Sequence, residues 1–256
     1  MTLDEAAGRL RGPVDSSVVL TVLHGTVTED IKLVRDRITL NPVYAELRPQ
    51  SDDVVVGYIR LSQFNANATL ELKNSLQKLI KEGANAYLLD LRNNPGGLLQ
   101  SGIDIAQLWL NDGTILYTAN RNGIQDSFEA THTALTDAPL AVLVNSGTAS
   151  ASEILSGALQ DNNRATLVGE QTFGKGLIQS LFNLSDGAGL AVTIARYETP
   201  KHHDINRLGI TPDHLVPGAP LNMAELATVE DIQYQVALDV LKEETVTRGI
   251  LTKVGL

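Results

Sequence analysis

Asn145-Ser146-Gly147-Thr148-Ala149-Ser150-Ala151-Ser152-Glu153-Ile154-Leu155 joins two stretches of different periodicity. Before it, Leu140-Ala141-Val142-Leu143-Val144 is an unbroken apolar run behind Pro139, which reads as a buried strand. After it, Ile154, Leu155, Ala158 and Leu159 recur at helical spacing, so a helix begins near Ser150 or Ser152. The order is strand, small-residue turn, helix. That order places a serine at the positive end of a helix dipole, on the carboxyl edge of a sheet. A hydroxyl there suits nucleophilic attack, because nearby backbone N–H groups can hold the oxyanion that forms. Ser150-x-x-Glu153 also reads as a capping box, in which the serine does no more than end the helix.

Two further stretches bear on that choice. Gly169-Glu170-Gln171-Thr172-Phe173-Gly174-Lys175-Gly176 sets a lysine between glycines, next to Phe173, Leu177 and Ile178. An apolar setting suits a lysine that must lose its proton, since burial disfavours the ammonium, and a neutral amine can act as base toward a serine. A phosphate-binding loop is the other reading of such glycines, but Gly-x-x-x-x-Gly-Lys-Ser/Thr is absent. Asp90-Leu91-Arg92-Asn93-Asn94-Pro95-Gly96-Gly97 follows the apolar run Ala86-Tyr87-Leu88-Leu89, and Gly96 and Gly97 permit a turn that presents N–H groups. An ordinary strand-to-helix turn accounts for it equally.

The remaining pattern alternates. Strands are expected at 18–23, 43–47 after the Asn41-Pro42 break, 54–61, 86–91, 140–144 and 165–168. Helices are expected at 2–11 behind the Thr2-x-x-Glu5 capping box, 68–82, 98–111, 151–161 and 229–243 behind Thr228-x-x-Asp231. Leu177–Leu184 and Leu190–Tyr197 flank Asp186-Gly187-Ala188-Gly189 as a hairpin. Repeated β-then-α units predict an α/β fold with a largely parallel sheet.

Composition narrows the function. The 256 residues are 43% hydrophobic, enough for a sizeable core, and no run of 18 apolar residues could span a membrane. A net charge of -10 without a basic cluster argues against nucleic acid and anionic membrane surfaces as partners. There are no cysteines, so thiolate chemistry and disulfides are excluded. His202-His203-Asp204 has no third ligand at a defined spacing, and no metal is expected. No Gly-x-Ser-x-Gly elbow surrounds Ser150, though His24 and His132 could approach it in space. Asp90 and Arg92 are expected to pair with each other at their turn.

Asp-Leu-Arg-x-Asn-Pro-Gly-Gly, Ser-Ala-Ser-Glu and Thr-Phe-Gly-Lys-Gly, in this order and spacing, resemble the carboxyl-terminal processing proteases, the tail-specific Ser/Lys peptidases of family S41. The resemblance runs from about Leu3 to Leu241. It implies Ser150 as nucleophile rather than Ser152, Lys175 as general base, Gln179 as the residue orienting the lysine, and the N–H groups of Gly96 and Ala151 as the oxyanion hole. It implies a ClpP/crotonase-like αβ core over residues 53–220, with a C-terminal helical segment at 221–256. Residues 1–25 would be the last helix and strand of a PDZ domain, and 26–52 a linker with a small strand subdomain. It implies no cofactor, no ATP, an unstructured protein tail as substrate, and export to periplasm, thylakoid lumen or cell exterior, although the amino terminus shows no signal peptide. The same fold also admits a non-catalytic binding module, or a protease silenced by loss of its PDZ domain.

Overall fold

A computed structural model of the chain describes residues 2–36, 41–50, 54–184, 188–219, 222 and 225–254. The chain divides into two units, Met1–Leu40 and Asn41–Leu256. In the first, helix α1 (Leu3–Leu10) carries the expected capping box at Thr2 and stops before Gly12-Pro13. Strands β1 (Ser17–His24) and β2 (Val27–Val34) form an antiparallel hairpin. The Arg35 guanidinium donates to the carbonyls of Arg9 and Leu10, satisfying the free end of α1.

The second unit is built on a six-stranded sheet. Its members are β3 (Val43–Pro49), β4 (Val55–Leu61), β5 (Ala86–Asp90), β8 (Leu140–Val144), β9 (Thr166–Gly169) and β12 (His214–Leu215). The spatial order is β12-β9-β8-β5-β4-β3, parallel throughout except for β3. The largely parallel sheet expected from the sequence is therefore present. The expected subdomain at 26–52 is not one unit: β2 pairs with β1, whereas β3 joins the central sheet. The alternating apolar positions of that stretch continue past Ile31 and Leu33 to Ile38 and Leu40, which lie outside the described residues.

From β4 to β9 the chain steps across the sheet in a single direction. Right-handed crossovers then put every connecting helix on the same face. These are α2 (Ala68–Lys81), α3 (Leu99–Gln107) and α4 (Ala151–Asp161). Leu72, Leu76 and Leu79 of α2, Ile103 and Ala106 of α3, and Ile154, Leu155 and Ala158 of α4 cluster with Ile59, Tyr87, Leu89 and Val142. The opposite face is left to α5 (Ile232–Val254), whose Tyr234, Ala237, Leu238 and Leu241 pack on Val56, Tyr58, Leu88, Ala141 and Leu143. Alternate residues of β5 serve the two clusters, which is why its apolar run is unbroken. Each fully buried Leu contributes roughly 1.5–3 kcal/mol. A second sheet, order β10-β11-β6-β7, is antiparallel: β6 (Thr114–Asn120), β7 (Gly123–Glu129), β10 (Leu177–Asn183) and β11 (Gly189–Glu198). The β10–β11 hairpin was expected; Asp186 and Gly187 of its turn lie outside the described residues. The β6–β7 hairpin had no counterpart in the sequence reading.

The two faces are bolted together at the end of β5. Arg92 pairs with Asp90 at 2.7 Å, as expected, and also with Asp231 at 2.8 Å, all three side chains being buried. Asp231 accepts from the Tyr234 N–H and so caps α5 itself, in place of the expected Thr228. Tyr58 donates to Asp90 at 2.9 Å. Burial opposes the charge of Asp231, but its hydrogen bonds from Arg92 and Ala227 outweigh that effect and hold its pKa below the ordinary value. Burial likewise opposes the charge on Arg92, and the two carboxylates more than offset it.

Because the folded pKa of Asp231 is depressed, its contribution to stability is complete above the unfolded pKa of about 3.9 and is lost as pH falls from there through the folded value. Asp231→Asn is expected to lower the unfolding free energy at pH 7 by about 2–3 kcal/mol, short of a fully broken buried pair because Arg92 keeps Asp90. The gap to wild type should narrow below about pH 4. Urea unfolding at pH 7 and pH 3 reads both, and a gap that stays constant would exclude the ion pair as its source.

Candidate functional site

At the carboxyl ends of β5 and β8 two turns interlock. Asn94 is buried, and its carbonyl accepts from the Ala149 N–H (3.0 Å) and the Ser152 hydroxyl (3.0 Å). The Thr148 hydroxyl donates back to the Leu91 carbonyl at 2.9 Å. Asn93 and Asn145 exchange a reciprocal pair of hydrogen bonds. Gly96 lies so close to the serine turn that a Cβ there would meet the Ala149 oxygen at 2.6 Å and the Ala151 nitrogen at 2.8 Å. Its φ of +90° adds a second reason for glycine.

Ser150 is held in a strained conformation, φ 58° and ψ -119°. Such backbone costs on the order of 1–3 kcal/mol and persists only where its surroundings impose it. Here they do. The Ser150 N–H donates to Glu153 Oε2 at 2.8 Å, and its carbonyl accepts from Glu153 (2.8 Å) and Ile154 (3.0 Å). This is the sharp strand-to-helix turn of a nucleophile elbow, made without the glycines that usually announce one. Thr148 and Ser152 stand where glycines would, their hydroxyls turned inward to Leu91 and Asn94. The Glu153 half of the capping box is formed, its carboxylate taking the Ser150 N–H while the Glu153 N–H bonds the Ser150 carbonyl. Ala151 N–H, at the first turn of α4, has no hydrogen-bond partner among the described residues.

Glu153 connects this turn to the lysine. It is fully buried and takes four donors: the Ser150 N–H and the Lys175 N–H on Oε2, each at 2.8 Å, and the Gly174 N–H and the Thr172 hydroxyl on Oε1, each at 2.6 Å. The Ser150 and Lys175 amides therefore lie within two hydrogen-bond lengths of each other. An ionised carboxylate is acceptor-only, and this set of partners is all donor.

The expected apolar enclosure of Lys175 is not found. Residues 171–177 alternate: Thr172, Gly174 and Gly176 face inward, while Gln171, Phe173, Lys175 and Leu177 face solvent. Phe173 is 65% exposed. The glycines are there for the inward face, since a Cβ on Gly176 would meet the Asn206 nitrogen at 2.5 Å and one on Gly174 the Arg207 backbone at 2.9 Å. An extended segment with period two sends the intervening lysine outward. Gln179, on β10, is also exposed, and no hydrogen bond joins it to Lys175. Gly96 N–H donates to Asn94 Oδ1 at 2.9 Å, so it can face an oxyanion only by sharing or releasing that bond.

His132 N–H bonds Asn111 beyond the end of α3, at the opposite end of the sheet from Ser150, and His24 lies in the first unit. His202 stacks on Tyr117 with ring centroids 4.4 Å apart and sits 3.2 Å from Glu198. Among the described residues no cluster of three or more His, Cys, Asp or Glu could hold a metal. Thr172 and Asn94 were not singled out in the sequence. The inward places of the alternation Thr172-x-Gly174-x-Gly176 were the signal for the first, and the second carries none.

A family model described as Peptidase family S41 matches residues 55–216. A carboxyl-terminal-processing protease of Synechocystis sp. is 61% identical over 243 residues, covering 94% of this chain and 57% of the relative. The chloroplastic carboxyl-terminal-processing peptidase 2 of Arabidopsis thaliana is 48% identical over 223 residues, covering 85% and 43%. A solved structure of a photosystem II D1 C-terminal processing protease superposes with a TM-score of 0.69 at 37% identity, covering 90% of this chain and 64% of that one. The chain thus spans about half the length of these curated relatives.

Glu153→Gln places an N–H₂ among four donors. It is expected to lower the unfolding free energy by about 3 kcal/mol, at the upper range for hydrogen bonds to a charged group. Equilibrium urea unfolding measures it, and a loss under about 1 kcal/mol would show that the four bonds contribute little.

Proposed function

The chain belongs to peptidase family S41, and from that premise we propose that it is an ATP-independent serine endopeptidase cutting unstructured carboxyl-terminal tails with a Ser150/Lys175 dyad. The observation that carries the reading is the strained Ser150 tied through Glu153 to the extended segment bearing Lys175. Ser150 Oγ attacks the scissile carbonyl carbon while Lys175 Nζ takes its proton. The developing oxyanion is received by Ala151 N–H and, once it leaves Asn94 Oδ1, by Gly96 N–H. Lys175 returns the proton to the leaving amine, and water hydrolyses the acyl ester by the same route. Gln179, which makes no hydrogen bond to Lys175 in the free chain, orients the lysine amine once a tail covers both.

The exposure of Lys175 gives the substrate a part in this chemistry. β10 begins two residues after Lys175 and is an edge of its sheet among the described residues. A tail pairing with that edge by backbone hydrogen bonds covers the face carrying Phe173, Lys175 and Leu177. Removing water from an ammonium disfavours its charged form, so the base is prepared when substrate is in place. The carboxyl-terminal processing relatives, several of them chloroplastic or cyanobacterial, support a protein substrate and a thylakoid-lumen or periplasmic setting.

Ser150→Ala and Lys175→Ala are each expected to lower casein cleavage by at least ~10³-fold, the scale on which loss of a nucleophile or base acts. Ser152→Ala removes one buried hydrogen bond to Asn94, about 1 kcal/mol, and should keep most activity. Activity surviving in Ser150→Ala, or lost in a folded Ser152→Ala, would move the nucleophile to Ser152. Near-normal kcat in Lys175→Ala would end the dyad.

A further inference from the structure

We propose that Thr172 is a positioning residue for the reaction, its hydroxyl fixing the Glu153 carboxylate that sets Ser150 against Lys175. The inference rests on the Ser150/Lys175 reading and assigns a role to a residue that touches neither group.

Thr172 is buried. Its hydroxyl oxygen accepts from the Ile210 N–H at 2.7 Å, and its proton goes to Glu153 Oε1 at 2.6 Å. A hydroxyl has one proton to give, and the Ile210 amide, itself a donor, leaves that proton free for the carboxylate. The backbone of Thr172 is held as firmly, since its N–H donates to the Ile210 carbonyl at 3.1 Å. The next turn of that same loop approaches so closely that a Cβ on Gly209 would meet the Thr172 carbonyl oxygen at 2.4 Å. The Arg207 N–H then donates to the Gly174 carbonyl at 2.8 Å. Residues 205–210 are thus a fixed rail, and the Thr172 hydroxyl is the side-chain link from that rail to Glu153.

The consequence follows from how Glu153 divides its oxygens. Oε1 takes the Thr172 hydroxyl and the Gly174 amide; Oε2 takes the Ser150 and Lys175 amides. A carboxylate turns about its terminal bond with little resistance unless both oxygens are held. With Oε1 anchored from the rail, Oε2 is left at the one point where it spans nucleophile and base. Without the hydroxyl, Gly174 alone holds Oε1, and the Ser150–Lys175 spacing loosens. Misplacement of that size affects the chemical step more than the binding of a tail along β10.

The test compares Thr172→Val, which keeps the shape and loses the hydroxyl, with Thr172→Ser, which keeps it. Two readouts are taken on the full chain: kcat and KM on fluorescently labelled casein, and the rate of labelling of Ser150 by a fluorophosphonate. Thr172→Val is expected to lower kcat and labelling at least ~10-fold with KM within about twofold, and Thr172→Ser to restore both to within about threefold of wild type. Wild-type labelling in Thr172→Val, or equal losses in the Ser and Val variants, overturns the proposal. If Thr172→Val does not fold, Thr172→Ala against Thr172→Ser gives the same contrast, differing by one oxygen. Lys175→Ala is run alongside. If it abolishes labelling while Thr172→Val does not, the dyad stands and the Thr172 role falls. If Lys175→Ala labels normally, the dyad reading falls and takes the Thr172 role with it.

Discussion

The carboxylate of Glu153 is buried, makes no salt bridge among the described residues, and is satisfied by four hydrogen-bond donors. Burying a charge in that way is tolerable only if every lone pair is used. The donors come from three places along the chain: the start of α4, the Thr172 hydroxyl and the Gly174–Lys175 backbone. The constraint works in both directions. The charge requires those groups to converge, and their convergence keeps Ser150 in a backbone conformation it would otherwise leave. The catalytic geometry proposed for this chain is thus a by-product of satisfying one buried anion.

The sheet makes that convergence available. Because the strands from β4 to β9 advance in one direction, the turns after β5 and β8 emerge side by side on the same edge. They are locked by backbone and small polar side chains, Asn94, Thr148, Ser152, Asn93 and Asn145, rather than by apolar packing. Directional bonds of this kind place atoms more sharply than a hydrophobic contact, which has no preferred direction. On the other face the same β5 turn is bolted to α5 through Arg92 and Asp231. The Asp90–Arg92 pair, two residues apart in sequence, therefore serves both layers. A tight turn at Ser150 and an exposed lysine coexist here.

Much of this was legible in the chain. The period-two and period-3.6 runs located most strands and helices of the second unit, because each buries one defined face and burial selects residue type. The three small-residue turns were legible too, and they carry the residues proposed for the chemistry, Ser150, Lys175, Gly96 and Ala151. Less visible was the β6–β7 hairpin, whose β7 is almost wholly exposed and so carries little apolar pattern. The elbow at Ser150 was also hidden, since its strain is absorbed by hydrogen bonds from distant residues instead of by flanking glycines.

The sequence by itself determined the alternation of strands and helices, the placement of the candidate serine at a strand-to-helix turn, and the family to which the motifs belong. These depend on local periodicity and on residues close in the chain. Only the tertiary structure decided that Lys175 faces solvent, that Asp231 completes the Arg92 pair from 139 residues away, and that Thr172 and Lys175 share Glu153 with Ser150. The glycines beside Lys175 suggested enclosure when read as a string; folded, they are the inward face of an extended segment pressed against residues 206 and 207. The reason is general to such sites: residue type records whether an atom is buried, while the partner that buries it is chosen by the fold.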